Sequence, residues 1–181
     1  MFTALKAAVC AVAFSMLVFA DEPPTPSSNM LHFRGTDIEL NYPENWQASE
    51  NSGFVYLTPP GGFTEGGDIA YGMLIGTFEP DESLTLEDAT DQIIAQYRLW
   101  NQNITMVRYA GRTRINGLDA TVFDLLNESP APAHGMETDK LITVLRPDGV
   151  VTYFVAIAPD LDLQDYKPAF NRVLGSVRFR S

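Results

Sequence analysis

Apolar and polar positions alternate in short runs along most of this chain, and at only two places do apolar positions recur every three or four residues. Alternation with period two puts one face of a strand in the core, whereas the longer spacing builds one face of a helix. Residues 31–40 read as a first strand or hairpin arm, broken by Tyr42-Pro43-Glu44-Asn45-Trp46, where Pro43 fixes its own φ and restricts Tyr42. Residues 54–57 are a short strand ended by Pro59-Pro60-Gly61-Gly62. After a mostly polar loop, residues 69–78 are strongly strand-like. Ile69, Tyr71, Met73 and Ile75 fall on one face, Ala70, Gly72, Leu74 and Gly76 on the other. The small residues of the second face predict close approach of a helix backbone to the sheet.

The first helical repeat follows. Thr85 is placed to cap it, with Asp88 as a short-armed capping box and Glu87 suited to the positive helix end. Leu86, Ala89, Ile93, Tyr97 and Trp100 make its apolar face, and Asn101-Gln102-Asn103 should stop it. Residues 105–110 and 112–115 are short strands leading to Asn116-Gly117, a type I′ hairpin signal, and residues 118–126 alternate on the way out of the turn. Residues 129–135, with two prolines, read as a loop. Residues 141–145 and 150–158 form a hairpin about Arg146-Pro147-Asp148-Gly149. A closing helix carries Leu163, Tyr166, Phe170, Val173 and Leu174 on one face. Its Pro168 predicts a loose first turn, with the regular helix starting near the proline. Val177-Arg178-Phe179 reads as a terminal edge strand. This order gives an α+β domain, a central antiparallel sheet covered by helices.

The first twenty residues follow neither rhythm. Lys6 precedes a nearly unbroken apolar run over residues 7–19, and Asp21-Glu22-Pro23-Pro24 follows Ala20. That is the layout of an export signal with cleavage after Val18-Phe19-Ala20, and the run is shorter than the roughly 20 residues of a spanning helix. Residues 1–20 are therefore read as a signal peptide, 21–30 as a disordered leader and 31–181 as one domain. Cys10, the only cysteine, would leave with the signal, so the expected location, periplasmic or secreted, is reached without a disulfide. The remaining chain of about 160 residues is long enough to bury a core without a disulfide or a metal.

Charge narrows the partners. The chain has 23 acidic residues against 12 Lys and Arg, a net charge of −11. Such a field repels phosphate backbones and anionic lipid, which excludes nucleic acid and, after signal cleavage, the membrane surface. His32 and His134 are the two histidines. His32, in the first strand, reads as a surface or hydrogen-bonded residue. His134 lies near Glu137 and Asp139 in a Pro/Gly loop, and these three are the candidate metal ligands, at a spacing that matches no established zinc or calcium motif. No His-Glu-x-x-His, Gly-x-Ser-x-Gly or phosphate-loop motif occurs. Gly61-Gly62 and Gly66-Gly67 lack the following Lys-Ser/Thr and read as turns. Glu65, Asp68, Asp81, Glu82, Glu87 and Asp88 could line one rim, but no motif sets two of them across a cleft. Tyr42, Trp46 and Trp100 read as core or rim packing. No cofactor is expected.

Tyr42-Pro43-Glu44-Asn45-Trp46, Gly72-Met73-Leu74-Ile75-Gly76 and Leu86-Glu87-Asp88-Ala89-Thr90 resemble, in that order, a group of bacterial exported domains found alone or appended to membrane-associated zinc metalloproteases. The resemblance continues through Arg146-Pro147-Asp148-Gly149, Tyr153-Phe154-Val155, and Phe170 to Ser176-Val177-Arg178-Phe179. It covers most of residues 35–180. Such domains are similar in fold to the PsbP/Mog1 family, a central antiparallel sheet with helices on both sides. The resemblance implies architecture and location. The wider family includes binding and assembly proteins, and the zinc ligands of the linked proteases belong to a separate domain whose motif is missing here.

The expected function is that of an exported, non-enzymatic domain that binds a protein partner or assists assembly. Loops 59–68 and 129–139 are its expected contact surfaces, with Gly61, Gly62, Glu65 and Asp68 in the first. A carboxylate- or metal-dependent hydrolase working through His134, and a purely structural domain, are the rivals. N-terminal sequencing of the protein exported by a bacterial host should begin at Asp21. Exported material that still carries residues 1–20 would remove the signal-peptide reading.

Overall fold

Strand β9 (Val151–Ile157) is buried along its whole length, so both faces of the sheet around it are covered. The computed structural model describes residues 23–80, 84–131 and 135–180; the expected signal peptide, Asp81, Glu82 and His134 lie outside the described residues. Seven strands form the main sheet in the order β3 (Gln47–Asn51), β4 (Phe54–Thr58), β5 (Gly72–Phe78), β9, β8 (Met136–Leu145), β7 (Leu118–Glu128) and β6 (Met106–Ile115). Every neighbouring pair is antiparallel. A small sheet pairs β2 (Ile38–Pro43) with β1 (Met30–Arg34) on one side and β10 (Arg178–Phe179) on the other. Helix α1 (Leu86–Trp100) packs on one face of the main sheet, and α2 (Leu163–Ser176) together with the small sheet covers the other. The sequence-derived α+β architecture is the one observed.

Alternation decides which layer each strand residue enters. Along β8, Leu141 joins the α1 layer while Ile142 and Val144 join the α2 layer. Trp46 anchors the second layer, with ring centroids 6.0 Å from both Tyr166 and Phe170. On the α1 side, Thr90 donates to Leu86 O while its hydroxyl meets that of Thr143 at 2.6 Å, and Thr143 meets Thr121 at 2.7 Å. This buried hydroxyl chain fixes the N-terminal half of α1 against β8 and β7. Thr85 caps the helix as expected, accepting from the Asp88 N–H.

Several elements differ from the sequence reading. Residues 31–40 divide into the hairpin β1–β2 because the chain turns at Gly35, whose N–H bonds Ile38 O. β3 has no apolar alternation; it is an exposed edge held by backbone pairing to β4. β5 begins at Gly72, since Ile69 is occupied in a bridge to Phe63. Residues 106–115 are one strand, with the register shift between Tyr109 and Gly111. α2 is regular from Leu163 and runs through Pro168. Trp100, expected on the buried face of α1, is 59% exposed, with its ring against Phe54 and Tyr97. Of the residues expected as a loose leader, Thr25 O accepts from Asn45 and Ser27 O from Arg172.

The small residues of β5 serve strands rather than a helix backbone. At Gly76 the Tyr153 ring fills the place of a side chain, and at Gly72 the Leu57 carbonyl and, 2.9 Å away, the Thr58 methyl do so. Gly72 also has φ +136°. Gly72→Ala therefore adds overlap with backbone to a strained conformation and should cost about 2–4 kcal/mol. Urea denaturation checks this, with a lower midpoint and an unchanged slope expected.

Candidate functional site

β7 and β8 outrun the helix that covers them. α1 has 15 residues, a length of about 22 Å, whereas the 11 and 10 residues of β7 and β8 span about 33–37 Å. Past the C-terminal end of α1 the same face of the sheet goes on with Asn127 of β7 and Glu137 and Asp139 of β8. Glu137 and Asp139 are two positions apart and so share this face with Leu141; the register sets Asn127 opposite Glu137 and Leu125 opposite Asp139. The start of β8 is pinned from the far side, where Glu137 bridges Pro159 and the Asp160 N–H donates to Met136 O.

A cavity of about 530 Å³ lies over these residues. Its floor is Glu137, Asp139 and Asn127 beside Leu74 and Ile157, all buried. Its mouth is formed by the exposed Trp100, Gln102 and Asn103 from the end of α1, by Asp68 and by Glu128. Asn101, the C-cap of α1, donates to Asn127 Oδ1 at 3.3 Å, and the Asn127 amide donates to Asp139 Oδ2 at 3.1 Å. That relay satisfies one oxygen of Asp139. Asp139 Oδ1 and Glu137 Oε2 are buried without a hydrogen-bond partner.

Burial dominates the electrostatics here. It pushes Glu137 up to about 7, with the Asp160 charge adding to it and the Ser129 and Asn127 side chains opposing it. Burial likewise holds Asp139 well above the usual carboxylate range, helped by the Glu137 and Asp160 charges and opposed by Asn127. The Tyr97 phenol is raised by burial and then by the Asp139 charge, so it stays protonated and can act as a donor.

The structure thus brings together two of the three candidate metal ligands, Glu137 and Asp139, while His134 lies outside the described residues. The expectation that the two acids sit in a loop is corrected: both belong to β8, and strand pairing with β7 is what buries them. Among the described residues no group of three or more His, Cys, Asp or Glu side chains is arranged to hold a metal ion. Gly61, at φ +76°, and Gly62, whose N–H donates to Pro59 O, build the turn after β4. Glu65 is exposed, and Asp68 reaches the cavity mouth. Glu87 pairs with Arg112 and Asp88 joins the cap of α1, which puts both at the end of the helix away from the cavity. His32 is exposed and bonds Asn41. Sequence reasoning missed Asn127, Asn101 and Tyr97 as site residues. The usable signal was parity, since Asn127 continues the Phe123–Leu125 face and Glu137 and Asp139 continue the Leu141 face.

The raised carboxylates predict an unusual pH dependence. Glu137 takes up its proton near 7 in the fold but near its ordinary value of 4.5 when unfolded, so the folded chain binds more protons between those values. Stability from this group is then complete below about 4.5 and is lost as pH rises through about 7. The melting temperature should fall by several degrees between about pH 5 and about pH 8, and Glu137→Gln should remove much of that slope. Asp124, held low by Arg108 and Lys140 against its burial, acts only at more acidic pH. Calorimetric melts across this range check the sign.

No protein-family model matches the chain, and a search of curated proteins finds no match. The likenesses are to solved structures. Cyanobacterial PsbP (CyanoP) from Synechocystis superposes with a TM-score of 0.57 at 12% identity, over 83% of this chain and 92% of that one. LpqN of Mycobacterium tuberculosis, a protein involved in cell envelope biogenesis, gives 0.53 at 14% identity, over 84% and 91%. A Bacteroides thetaiotaomicron protein gives 0.51 at 15% identity over 80% of this chain, which spans 45% of that protein. At such identities the likeness is one of fold: an antiparallel sheet packed by two helices, of the PsbP/Mog1-like kind.

Proposed function

We propose that this chain is an exported, non-enzymatic binding domain that takes a protein partner at the cavity over Glu137 and Asp139. One observation carries the reading: both loops singled out in the sequence border that cavity, the first through Asp68, the second through Ser129 and Pro130. A concave site with an apolar wall and a few convergent polar groups is the common form of a binding pocket. Export rests on the leader pattern, and the kinship with domains appended to metalloproteases rests on the sequence segments alone.

The hydrolase reading is weaker on geometry. Glu137 and Asp139 are same-face neighbours on a single strand, so they stand on one wall. Glycoside hydrolysis by a carboxylate pair needs the two groups to flank the bond that breaks. Among the described residues, Asp68 and Glu128 are the further acids at this cavity, and both are exposed at its mouth.

A photo-crosslinking residue at Gln102 or Ser129 should join the partner in envelope extracts of the native host, whereas one at the distant, exposed Asp37 should not. Crosslinking from Asp37 alone, or equal yields at all three, would move the contact surface away from the cavity.

A further inference from the structure

Moving a lone carboxylate out of water costs several kcal/mol, so buried carboxylates are normally met by cations. Strands β7 and β8 show a met and an unmet case on their two faces. On the α2 side, Asp124 is 5% exposed and is held by Arg108 and Lys140. On the α1 side, Glu137 and Asp139 are 2% and 3% exposed, and among the described residues no Lys or Arg lines the cavity above them. Glu137 and Asp139 line that cavity, and Glu137 Oε2 and Asp139 Oδ1 are buried without a partner.

Among the described residues, the other charged groups around the cavity have the same sign. Asp68 and Glu128 stand at the mouth, and α1 ends there at Trp100, bringing the partial negative charge of a helix C-terminus. An anion would be repelled, and a neutral group would leave any ionised carboxylate without a counter-charge. The wall then selects among cations. It is apolar and aromatic, with Leu74, Ile157, Tyr97 and Trp100, and about 530 Å³ far exceeds the roughly 30 Å³ share of one water. Aromatic faces favour an organic cation.

We propose that the cavity binds an aliphatic primary ammonium group on a stem of several carbons. The ammonium N–H groups donate to the carboxylates of Glu137 and Asp139, and the stem lies against Leu74, Ile157 and the rings of Tyr97 and Trp100. A lysine side chain of a protein and a free diamine share this chemistry. The inference rests on the binding reading above and names the group that the site recognises.

The test titrates the exported chain with Nα-acetyl-lysine methylamide, with pentane-1,5-diamine and with the neutral isostere Nα-acetyl-norleucine methylamide. Calorimetry gives affinity, and amide NMR shifts at residues 127, 137 and 139 give location. At least one amine should bind and move those signals, and the isostere should not. Glu137→Gln and Asp139→Asn keep side-chain size and relieve buried charge, so both should fold; each should weaken amine binding about tenfold or more, the loss of one charge-assisted hydrogen bond. Asp37→Asn should change nothing. A preference for the lysine derivative assigns the site to a protein side chain, and a preference for the diamine assigns it to a free amine. Silence from both amines at tens of millimolar, equal binding of the isostere, or unchanged affinity in both variants would overturn the proposal. So would tighter binding of calcium or zinc at the same residues. Crosslinking at Gln102 that persists while the amines are silent would leave the binding reading standing and end the ammonium one.

Discussion

A seven-stranded sheet with a fully buried β9 must be covered on both faces, and the two covers are unequal. One face has α2 and a three-stranded sheet, sealed by Trp46 against Tyr166 and Phe170. The other has α1 alone, four turns of helix against strands roughly half as long again. What that helix leaves uncovered is where polar side chains can enter the sheet face without disturbing the core. The cavity is therefore a consequence of element lengths before it is a matter of particular residues.

The helix is also held unevenly. Near its N-terminus, Ala89 and the Thr90–Thr143–Thr121 hydroxyl chain bring it down on the sheet in one register. Near its C-terminus polar contacts join the apolar ones: Asn101 reaches Asn127, while the half-exposed Trp100 ring meets Phe54 and Tyr97. Tyr97 sits at the change, packed with the apolar layer yet bordering Asp139's cavity, which is why burial and a carboxylate both raise its hydroxyl. A helix fixed at one end and open at the other can adjust its open end to a ligand at small cost.

Most of the framework was legible locally. Asn116 and Gly117 adopt φ of 49° and 82°, the left-handed pair that an Asn-Gly turn demands, and Thr85 with Asp88 marks the start of α1 to the residue. β3 was not legible because a polar edge strand carries no alternation and owes its existence to backbone pairing with β4. The site was half legible. Glu137 and Asp139 stand out as chemistry, but their place beside the Pro/Gly run at 129–135 reads as loop. Their burial needs pairing with β7 and a helix that stops short, and neither fact is local in sequence. Asn127 had no chemical motif to mark it, only its place in the alternation of β7.

Buried carboxylates on β8 are hard to explain as packing. Their oxygens were free to be apolar side chains, as Leu141 and Leu145 are on the same face of the same strand. Replacing such charges by apolar groups of similar volume is often neutral or stabilising, so the fold gains little by keeping them. The opposite face shows that this chain can neutralise a buried acid when structure alone is at stake, since Asp124 has two basic neighbours. A ligand that supplied the missing positive charge would remove the cost of ionising the pair, and the fold would be more stable occupied than empty. The net charge of −11 adds a long-range attraction for such a ligand before any contact is made. An unmatched buried charge that a ligand would relieve is the electrostatic counterpart of the backbone strain stored at functional positions.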